Sequence, residues 1–299
     1  MMRNILSSAD LSRKNIEELF SICDAVVSGK RKLSLKGNQT IALFFTEPST
    51  RTMVSFVVAA SHLGCNAIYI DSRNSQASRG EELADTARIL SLYCNFIAVR
   101  INDHDKLLAM AEHSKVPVIN ALTSLEHPTQ ALADCYTIMR RKGNLSRLKI
   151  AFIGDVAQNT ANSLMLTAAK LGARISLVGP KACKPNSFYL KESRKYGRID
   201  VHDSIEEGLN GADVVYTDTF VSMGDEAEAK KRRRMFAPYQ LNSKAFSYTK
   251  KNSIVMHPLP AHRGEEVTKG VIDGPRSVVW EQAKNKMVIE EAILLYLSR

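Results

Sequence analysis

The chain has 299 residues, of which 44% are hydrophobic and 24% charged, and this ordinary composition excludes disordered and fibrous proteins. Its 41 Lys and Arg outnumber its 31 Asp and Glu by 10, an excess that favours either nucleic acid or small anions as ligands. A chain of this length has room for about two domains of roughly 100–200 residues each.

No apolar stretch approaches the roughly 18 residues that a membrane span requires. Charged residues near the start occupy the place where a signal peptide has its apolar run. The five cysteines are odd in number and show no CxxC spacing, which is typical of reduced, mostly buried thiols. We therefore expect a cytoplasmic protein that does not contact membranes.

In the first half of the chain, amphipathic segments alternate with short apolar runs. Apolar side chains from Ile16 to Val27 recur at helical spacing, which predicts a helix that begins after Ser12. Further strands are predicted at 40–45, 66–70, 96–100 and 117–120, and further helices at 51–62, 81–93 and 127–142. A polar loop is expected at 71–80, between the second strand and the third helix.

The alternation breaks at residues 142–144, Lys-Gly-Asn, and then begins again. Strands are predicted at 148–154, 174–179, 212–218 and 253–260, and helices at 159–171 and 281–297. Regular alternation of strand and helix predicts an α/β protein with two doubly wound parallel-sheet domains. The basic run 230–234 lies in a helical stretch, so we interpret it as a solvated helix face rather than a nucleic-acid contact.

Polar residues follow the predicted strands, at the edge where open α/β sheets bind ligands. A cap or a loop hydrogen bond would explain any one of them, but together they favour an active site in a cleft between the two domains. The residues at these strand ends are Ser49, Thr50, Arg51, Thr52, Arg100, His127, Gln130, Asn159, Asp218 and His257.

The sequence Ser49-Thr50-Arg51-Thr52 opens a helix directly after a strand. Free backbone N–H groups and the positive end of the helix dipole bind phosphate there, and the hydroxyls and the guanidinium add charge-assisted bonds. A simple Ser/Thr cap beside a surface Arg is the alternative. Neither a Walker motif nor GxGxxG is present, so a nucleotide site is disfavoured.

Two further segments carry groups suited to a carbonyl and an amino acid. His127 and Gln130 lie on the first turn of a helix, where the dipole favours a neutral imidazole that polarises a carbonyl oxygen. Asp218 ends a strand and could pair with an ammonium, while Ser222 and Met223 could offer hydroxyl and backbone groups to a carboxylate. Helix caps are the alternative at both places.

Together these segments resemble the aspartate/ornithine carbamoyltransferase family over nearly the whole chain. The resemblance is carried by FFTEPSTRT (44–52), HPTQALADCYTI (127–138), GDVAQNTANSL (154–164), YTDTFVSMGDEAE (216–228) and MHPLPAHRGEEVT (256–268). The spacing D-x-x-x-S-M-G is typical of the ornithine branch of that family.

The resemblance implies an enzyme that transfers the carbamoyl group of carbamoyl phosphate to the δ-amine of L-ornithine, giving L-citrulline and phosphate. It implies that Arg51, Thr52, Arg100 and His127 are catalytic. Carbamoyl phosphate would be held by Ser49, Thr50, Arg51, Thr52, Gln76, Arg100, His127, Gln130 and Lys286, with Gln76 acting in the neighbouring subunit's site. Ornithine would be held by Asn159, Asp218, Ser222, Met223, Pro258 and Leu259.

The family's organisation implies a carbamoyl phosphate-binding domain at 1–142 and an ornithine-binding domain at 143–280. The C-terminal helix, 281–299, would pack back on the first domain. The expected assembly is a trimer or a multiple of trimers. No cofactor, metal or nucleic acid is expected.

Two departures from the family pattern concern the amine end of the site. Pro258 stands where the ornithine branch usually has Cys, and Lys286 stands where Arg is usual, so the bidentate fork of Arg is lost. Alternative acceptors are therefore aspartate, putrescine or an acylated ornithine. A catalytically silent carbamoyl phosphate-binding relative is another alternative, and the direction of the reaction in metabolism stays open.

Overall fold

The computed structural model describes residues 4–29, 33–221 and 228–299, and the chain divides into two compact units. One unit runs to Ala133 and takes in Asn285–Arg299, and the other is Asp134–Lys284. Each unit contains one sheet in which every strand pair is parallel. The predicted α/β class with two parallel sheets is confirmed.

The first unit has a four-stranded sheet in the order β2-β1-β3-β4. Its strands are β1 (Gln39–Phe45), β2 (Cys65–Asp71), β3 (Phe96–Arg100) and β4 (Val118–Leu122), and its helices are α1 (Arg13–Ser28), α2 (Thr50–His62), α3 (Leu83–Tyr93) and α4 (His104–His113). All five residues of β3 are buried, as expected for a central parallel strand that is covered on both faces. In this order the carboxyl ends of β1, β3 and β4 are neighbours.

Local sequence signals fix the ends of α1 and α2. Ser12 caps α1, because its Oγ accepts from the Asn15 backbone N–H while Asn15 accepts from the Ser12 N–H. Gly29 ends that helix at a φ of 59°, and Gly64 has a φ of 71° in the turn that leads to β2. The predicted first and second helices are therefore confirmed.

The second unit has a five-stranded sheet in the order β7-β6-β5-β8-β9. Its strands are β5 (Lys149–Ile153), β6 (Arg174–Val178), β7 (Ile199–His202), β8 (Val214–Thr217) and β9 (Ile254–Met256). Its shorter helices are α6 (Asn159–Lys170), α7 (Ser187–Arg194), α8 (Ile205–Leu209), α9 (Ala229–Phe236), α10 (Ser243–Ser247) and α11 (Lys269–Ile272). The division between the units falls within α5 (Pro128–Lys142) and α12 (Val279–Leu297).

The predicted strand at 253–260 is too long, since β9 ends at Met256. The His257 N–H donates to the side-chain oxygen Oε1 of Gln282 at 3.0 Å, and not to the backbone of a neighbouring strand. The two prolines at 258 and 260 have no N–H to donate. Sequence reasoning also missed α4, α7, β7, α8, α10 and α11. The last four are only four or five residues long, too short to show a clear period.

The basic run on α9 is a solvated face at four of its five positions. Lys230, Lys231, Arg233 and Arg234 are exposed, as predicted. The interpretation is wrong for Arg232, which is half-buried, forms an ion pair with Asp155 and donates from Nε to the Phe220 carbonyl oxygen at 2.9 Å. Arg232 therefore anchors α9 to the loop that follows β5.

A buried carboxylate connects β8 with the two helices that cross the division. Tyr216 Oη donates to Asp134 Oδ2 at 2.9 Å, and Gln282 Nε2 donates to Asp134 Oδ1 at 2.7 Å. Tyr216 and Asp134 are almost completely inaccessible, and burial raises the pKa of the Tyr216 hydroxyl well above its ordinary value, so that it donates at all physiological pH.

Replacing Tyr216 with Phe is expected to lower the free energy of unfolding by about 1.5–3 kcal/mol, because a buried carboxylate loses a donor. Urea unfolding of both proteins measures the difference. Tyr239→Phe is the control: its hydroxyl donates to the Asp203 carbonyl oxygen at the surface, and we expect a loss of about 0.5 kcal/mol or less. Equal losses in the two variants would contradict the role of the buried network.

Within the described residues, no helix combines the length and the apolar character needed to cross a membrane.

Candidate functional site

The amino end of α2 presents polar groups at the carboxyl end of β1. Ser49 is the N-cap, and its Oγ accepts from the Thr52 backbone N–H at 3.4 Å. Thr50 and Arg51 are exposed, whereas Thr52 is buried. A helix start with this composition offers backbone N–H groups and a positive dipole end to an anion.

Arg100 ends β3, the strand next to β1, and is only 9% exposed. Burial, followed by the charge of Arg51, lowers the pKa of Arg100 to about 10, so the guanidinium stays charged at neutral pH. Its Nε has no hydrogen-bond partner among the described residues. A buried, charged N–H donor of this kind is suited to an anionic ligand.

His127 lies directly before α5 and is 5% exposed. Burial, then the charges of Lys286 and Arg100, lower the pKa of His127 well below its ordinary value. The ring is therefore neutral at pH 7, as the sequence predicts, although the structure gives burial and neighbouring cations as the causes. Gln130 is buried on the first turn of α5, where its backbone N–H donates to the His127 carbonyl oxygen at 3.1 Å.

We expect the His127 ring to stay neutral when the pH is lowered from 8 to 6. Protonation would place a third cation beside Lys286 and Arg100 in a buried site, and the depressed pKa moves that event to lower pH. NMR titration of the histidine rings tests this, with the His127 signal identified by its loss in His127→Asn. A titration midpoint at or above the ordinary value, about 6.5, would contradict the assignment.

Lys286 lies near the middle of α12 and belongs to the same cluster as Thr52, Arg100 and His127. It is 7% exposed, and its Nζ donates to Thr52 Oγ1 at 2.8 Å. Lys286 and Arg100 place two positive charges beside the neutral His127, and Arg51 adds a third beside Arg100. Such a group can bind a dianion and stabilise negative charge on a carbonyl oxygen.

Gln76 is not brought into this cluster. It is exposed in a short 3₁₀ turn, Gln76–Arg79, that follows β2, the edge strand of the first sheet. In the part of the chain that the structure describes, no hydrogen bond joins its side chain to the residues around Thr52.

The second unit collects a different set of predicted residues at the carboxyl ends of β5, β8 and β9, which are neighbours in the sheet. Asn159 is the first residue of α6, and Asp218 follows β8. Asp218 Oδ2 accepts from Thr160 Oγ1 and Oδ1 from the Thr219 N–H, each at 2.7 Å. Burial raises the pKa of Asp218, and the neighbouring His257 opposes that rise.

Pro258 and Leu259 are partly exposed in the loop after β9, where Leu259 has a φ of 57° and the Leu259–Pro260 peptide bond is cis. The Leu259 N–H donates to His257 Nδ1 at 2.9 Å, and His257 Nε2 donates to Glu266 Oε1 at 3.1 Å. Glu266 is completely buried and was missed from the sequence. A carboxylate so placed fixes the orientation of the His257 ring and thereby supports the loop.

The predicted ornithine-binding residues Ser222 and Met223 lie outside the described residues. They follow Phe220, whose carbonyl oxygen accepts the bond from Arg232.

One group of described side chains has the composition of a metal site: His262, Glu265 and Glu266, whose ligand atoms lie within 4.8 Å of one another. Glu265 Oε2 already accepts from Arg233 Nε at 2.9 Å, and Glu266 Oε1 accepts from His257 Nε2 and the His262 N–H. We interpret the group as support for the loop after β9.

Comparison with known proteins gives a separate family match for each half of the chain. Residues 3–140 match the carbamoyl-P binding domain of aspartate/ornithine carbamoyltransferase, and residues 146–297 match the Asp/Orn binding domain of the same family. The ornithine carbamoyltransferase of Hyperthermus butylicus is 43% identical over 304 residues, which cover 98% of this chain and 96% of that protein.

Solved structures agree with this match. The ornithine carbamoyltransferase from Pyrococcus furiosus has a TM-score of 0.93 and 39% identity, covering 98% of this chain and 96% of that one. The anabolic ornithine carbamoyltransferase from Campylobacter jejuni has a TM-score of 0.93 and 36% identity, covering 99% of each chain.

Proposed function

Because the chain belongs to the aspartate/ornithine carbamoyltransferase family, we propose that it transfers the carbamoyl group of carbamoyl phosphate to the δ-amine of L-ornithine. The products are L-citrulline and phosphate. The observation that carries the proposal is the buried Arg100, whose Nε has no partner among the described residues and which lies beside Arg51 and a neutral His127.

Carbamoyl phosphate suits the cluster of the first unit. The phosphate would lie at the start of α2, bound by backbone N–H groups, the hydroxyls of Ser49, Thr50 and Thr52, and the Arg51 guanidinium. Its carbonyl oxygen would accept bonds from Arg100, His127 and Thr52, and Gln130 would contact the carbamoyl amide. Lys286, bonded to Thr52, would add positive charge to the same site.

Ornithine suits the cluster of the second unit. The raised pKa of Asp218 reflects a buried carboxylate without enough positive charge around it, and an α-ammonium would supply that charge. Asn159, with Ser222 and Met223, would bind the α-amino and α-carboxylate groups, and Pro258 and Leu259 would line the path of the side chain.

The chemistry consists of one bond made and one bond broken. The neutral δ-amine attacks the carbamoyl carbon, and negative charge grows on the carbonyl oxygen, where Arg100, His127 and Thr52 stabilise it. The bond from carbon to the phosphate oxygen then breaks, the phosphate leaves against Arg51 and the α2 N-terminus, and the proton lost by the amine passes to the departing phosphate. A free amine of this kind has a pKa near 10.4, and desolvation in the site would favour its neutral form.

The proposal divides the chain into a carbamoyl phosphate-binding domain, 1–142, and an ornithine-binding domain, 143–280, with helix 281–299 belonging to the first. The position of Lys286, whose Nζ reaches Thr52 on α2, supports the assignment of the terminal helix. We also propose action in the cytoplasm, supported by the five free cysteines, four of them buried.

The experiment that tests this function measures ureido product from carbamoyl phosphate with ornithine, aspartate, putrescine and N-acetylornithine in parallel. Ornithine is expected to give the highest kcat/KM. A higher value with another amine would move the proposal to that acceptor, as Pro258 and Lys286 suggest. Binding of carbamoyl phosphate with no product from any amine would support a catalytically silent relative.

A homotrimer, or a multiple of trimers, completes the proposal. Exposed apolar side chains on the first unit support it, and they lie on α2 (Val54, Val57), the edge strand β2 (Ile68, Tyr69) and α3 (Ile89, Leu92, Tyr93). Gln76 follows β2 and would enter a neighbouring subunit's site. Light scattering should give a mass of at least three times the 33.2 kDa of one chain, and a monomer would contradict this part of the proposal.

A further inference from the structure

Glu290 is a buried carboxyl group that the proposed mechanism does not use. Glu290 lies on α12 four residues after Lys286, so the two side chains share a helix face, and Glu290 is completely inaccessible. No hydrogen bond of ordinary length and angle reaches either of its carboxyl oxygens from residues 4–29, 33–221 or 228–299, although the Ser55 hydroxyl is close enough to favour the carboxylate. The nearby Ser55 hydroxyl has one proton, which it donates to the Thr52 carbonyl oxygen at 3.2 Å.

The groups around Glu290 lie on two helices, α12 and α2. On α12 they are Lys286, which favours the carboxylate, and Glu291, which opposes it. The group of α2 that faces Glu290 is the uncharged Ser55. His62, also on α2, is hydrogen-bonded through Nδ1 to Glu291 at 2.7 Å. Burial, only partly offset by the charge of Lys286 and by the Ser55 hydroxyl, raises the pKa of Glu290 to about 8, so its protonation state can change near neutral pH.

We propose that the Glu290 carboxylate is balanced by the Lys286 ammonium in the unliganded site and takes up one proton when a phosphate dianion binds beside α2. The inference rests on the proposed function, because it assumes that the cluster around Thr52 is the phosphate site. Without ligand, the Lys286 ammonium is the compensating charge for the Glu290 carboxylate. A bound dianion interacts with the same ammonium and adds negative charge beside the Glu290 carboxylate. The carboxylate therefore binds a proton from solvent.

The sign of the pH dependence follows from this linkage. Anion binding raises the pKa of Glu290 further, so the affinity is complete at low pH, where Glu290 is already protonated. It falls as the pH rises through the pKa of the unliganded state. A one-proton linkage weakens binding by at most about tenfold for each pH unit.

Calorimetric titration of the 299-residue protein with inorganic phosphate at pH 8 tests the proposal, since phosphate is then mostly dianionic. Repeating it in two buffers of different ionisation enthalpy gives the number of protons taken up. We expect a fraction of one proton for the natural protein, and a phosphate Kd that rises about fivefold to tenfold between pH 7.5 and 9. Glu290→Gln should take up no proton, should lose this pH dependence and should bind at least as tightly as the natural protein at pH 9.

Glu291→Gln is the matched control, because it removes the adjacent carboxylate, whose partner is His62, and should keep the proton uptake. If Glu290→Gln does not fold, Lys286→Met serves in its place. Without the ammonium, Glu290 stays protonated, so proton uptake should vanish and phosphate should bind at least tenfold more weakly.

Absence of proton uptake in the natural protein, or the same uptake in Glu290→Gln, would overturn the proposal. The parallel assay for citrulline keeps the two hypotheses apart. Proton-coupled phosphate binding without citrulline would leave Glu290 in its role and reject the proposed function. Citrulline formation with unchanged proton uptake in Glu290→Gln would do the reverse.

Discussion

Arg100→Ala is expected to lower kcat by about 10²–10³-fold, because it removes a charged donor placed where negative charge develops on the carbonyl oxygen. The side chain is 9% exposed, and its Nε has no hydrogen-bond partner in the described part of the chain. The Nε–H can therefore donate to a ligand. Steady-state kinetics with carbamoyl phosphate and ornithine measure the loss. Arg100→Lys should recover only part of it, since Lys keeps the charge but not the planar fork.

Arg88→Ala is the control for Arg100→Ala. Arg88 is exposed on α3, where its Nη1 pairs with Asp85, so its removal should leave kcat within about twofold of the natural value. Thermal unfolding of both variants separates a catalytic loss from a folding defect. Full activity in a folded Arg100→Ala would reject the proposed role of this site.

The fold could be predicted from the sequence because buried parallel strands have short, continuous apolar sequences. TIALFF and FIAVR became the central strands β1 and β3, and the glycines at 64 and 143 marked breaks that the structure confirms with positive φ values. The prediction lost accuracy where the period is short or the cause is not local. The strand at 253–260 was drawn too far because the His257 N–H bonds to Gln282, which is distant in sequence.

The candidate site divides in the same way. Ser49, His127 and Asp218 come after strands and Arg100 is the last residue of one, so they could be predicted because the carboxyl ends of parallel strands lie at the same side of a sheet. The bond from Lys286 to Thr52 joins residues 234 positions apart, and no local pattern announces such a pair. Glu266 and Glu290 were missed for a further reason: buried carboxylates look like surface residues in a sequence, and only the fold reveals their burial.

Asp218→Asn is expected to raise the KM for ornithine and to lower kcat/KM by about 10²-fold or more. The variant keeps the shape and the acceptor oxygen but loses the charge that would pair with an α-ammonium, and such buried charge pairs are worth about 2–5 kcal/mol when one partner is removed. Initial rates at saturating carbamoyl phosphate measure the effect. The KM for carbamoyl phosphate should change little, because the cluster around Thr52 is built from other residues.

The raised pKa of Asp218 adds a pH test to this prediction. A carboxyl whose pKa is raised becomes protonated at a higher pH than usual, so ornithine binding in the natural protein should weaken on the acid side, above the ordinary carboxyl range. Asp218→Asn should lack that limb. Asp213→Asn is the matched control. Asp213 lies at the amino end of the same strand, β8, whereas Asp218 follows its carboxyl end, and Asp213 forms an ion pair with Lys250. Its removal should reduce stability and leave both KM values near the natural ones, whereas a similar rise in the KM for ornithine would show that Asp218 acts only through the stability of β8.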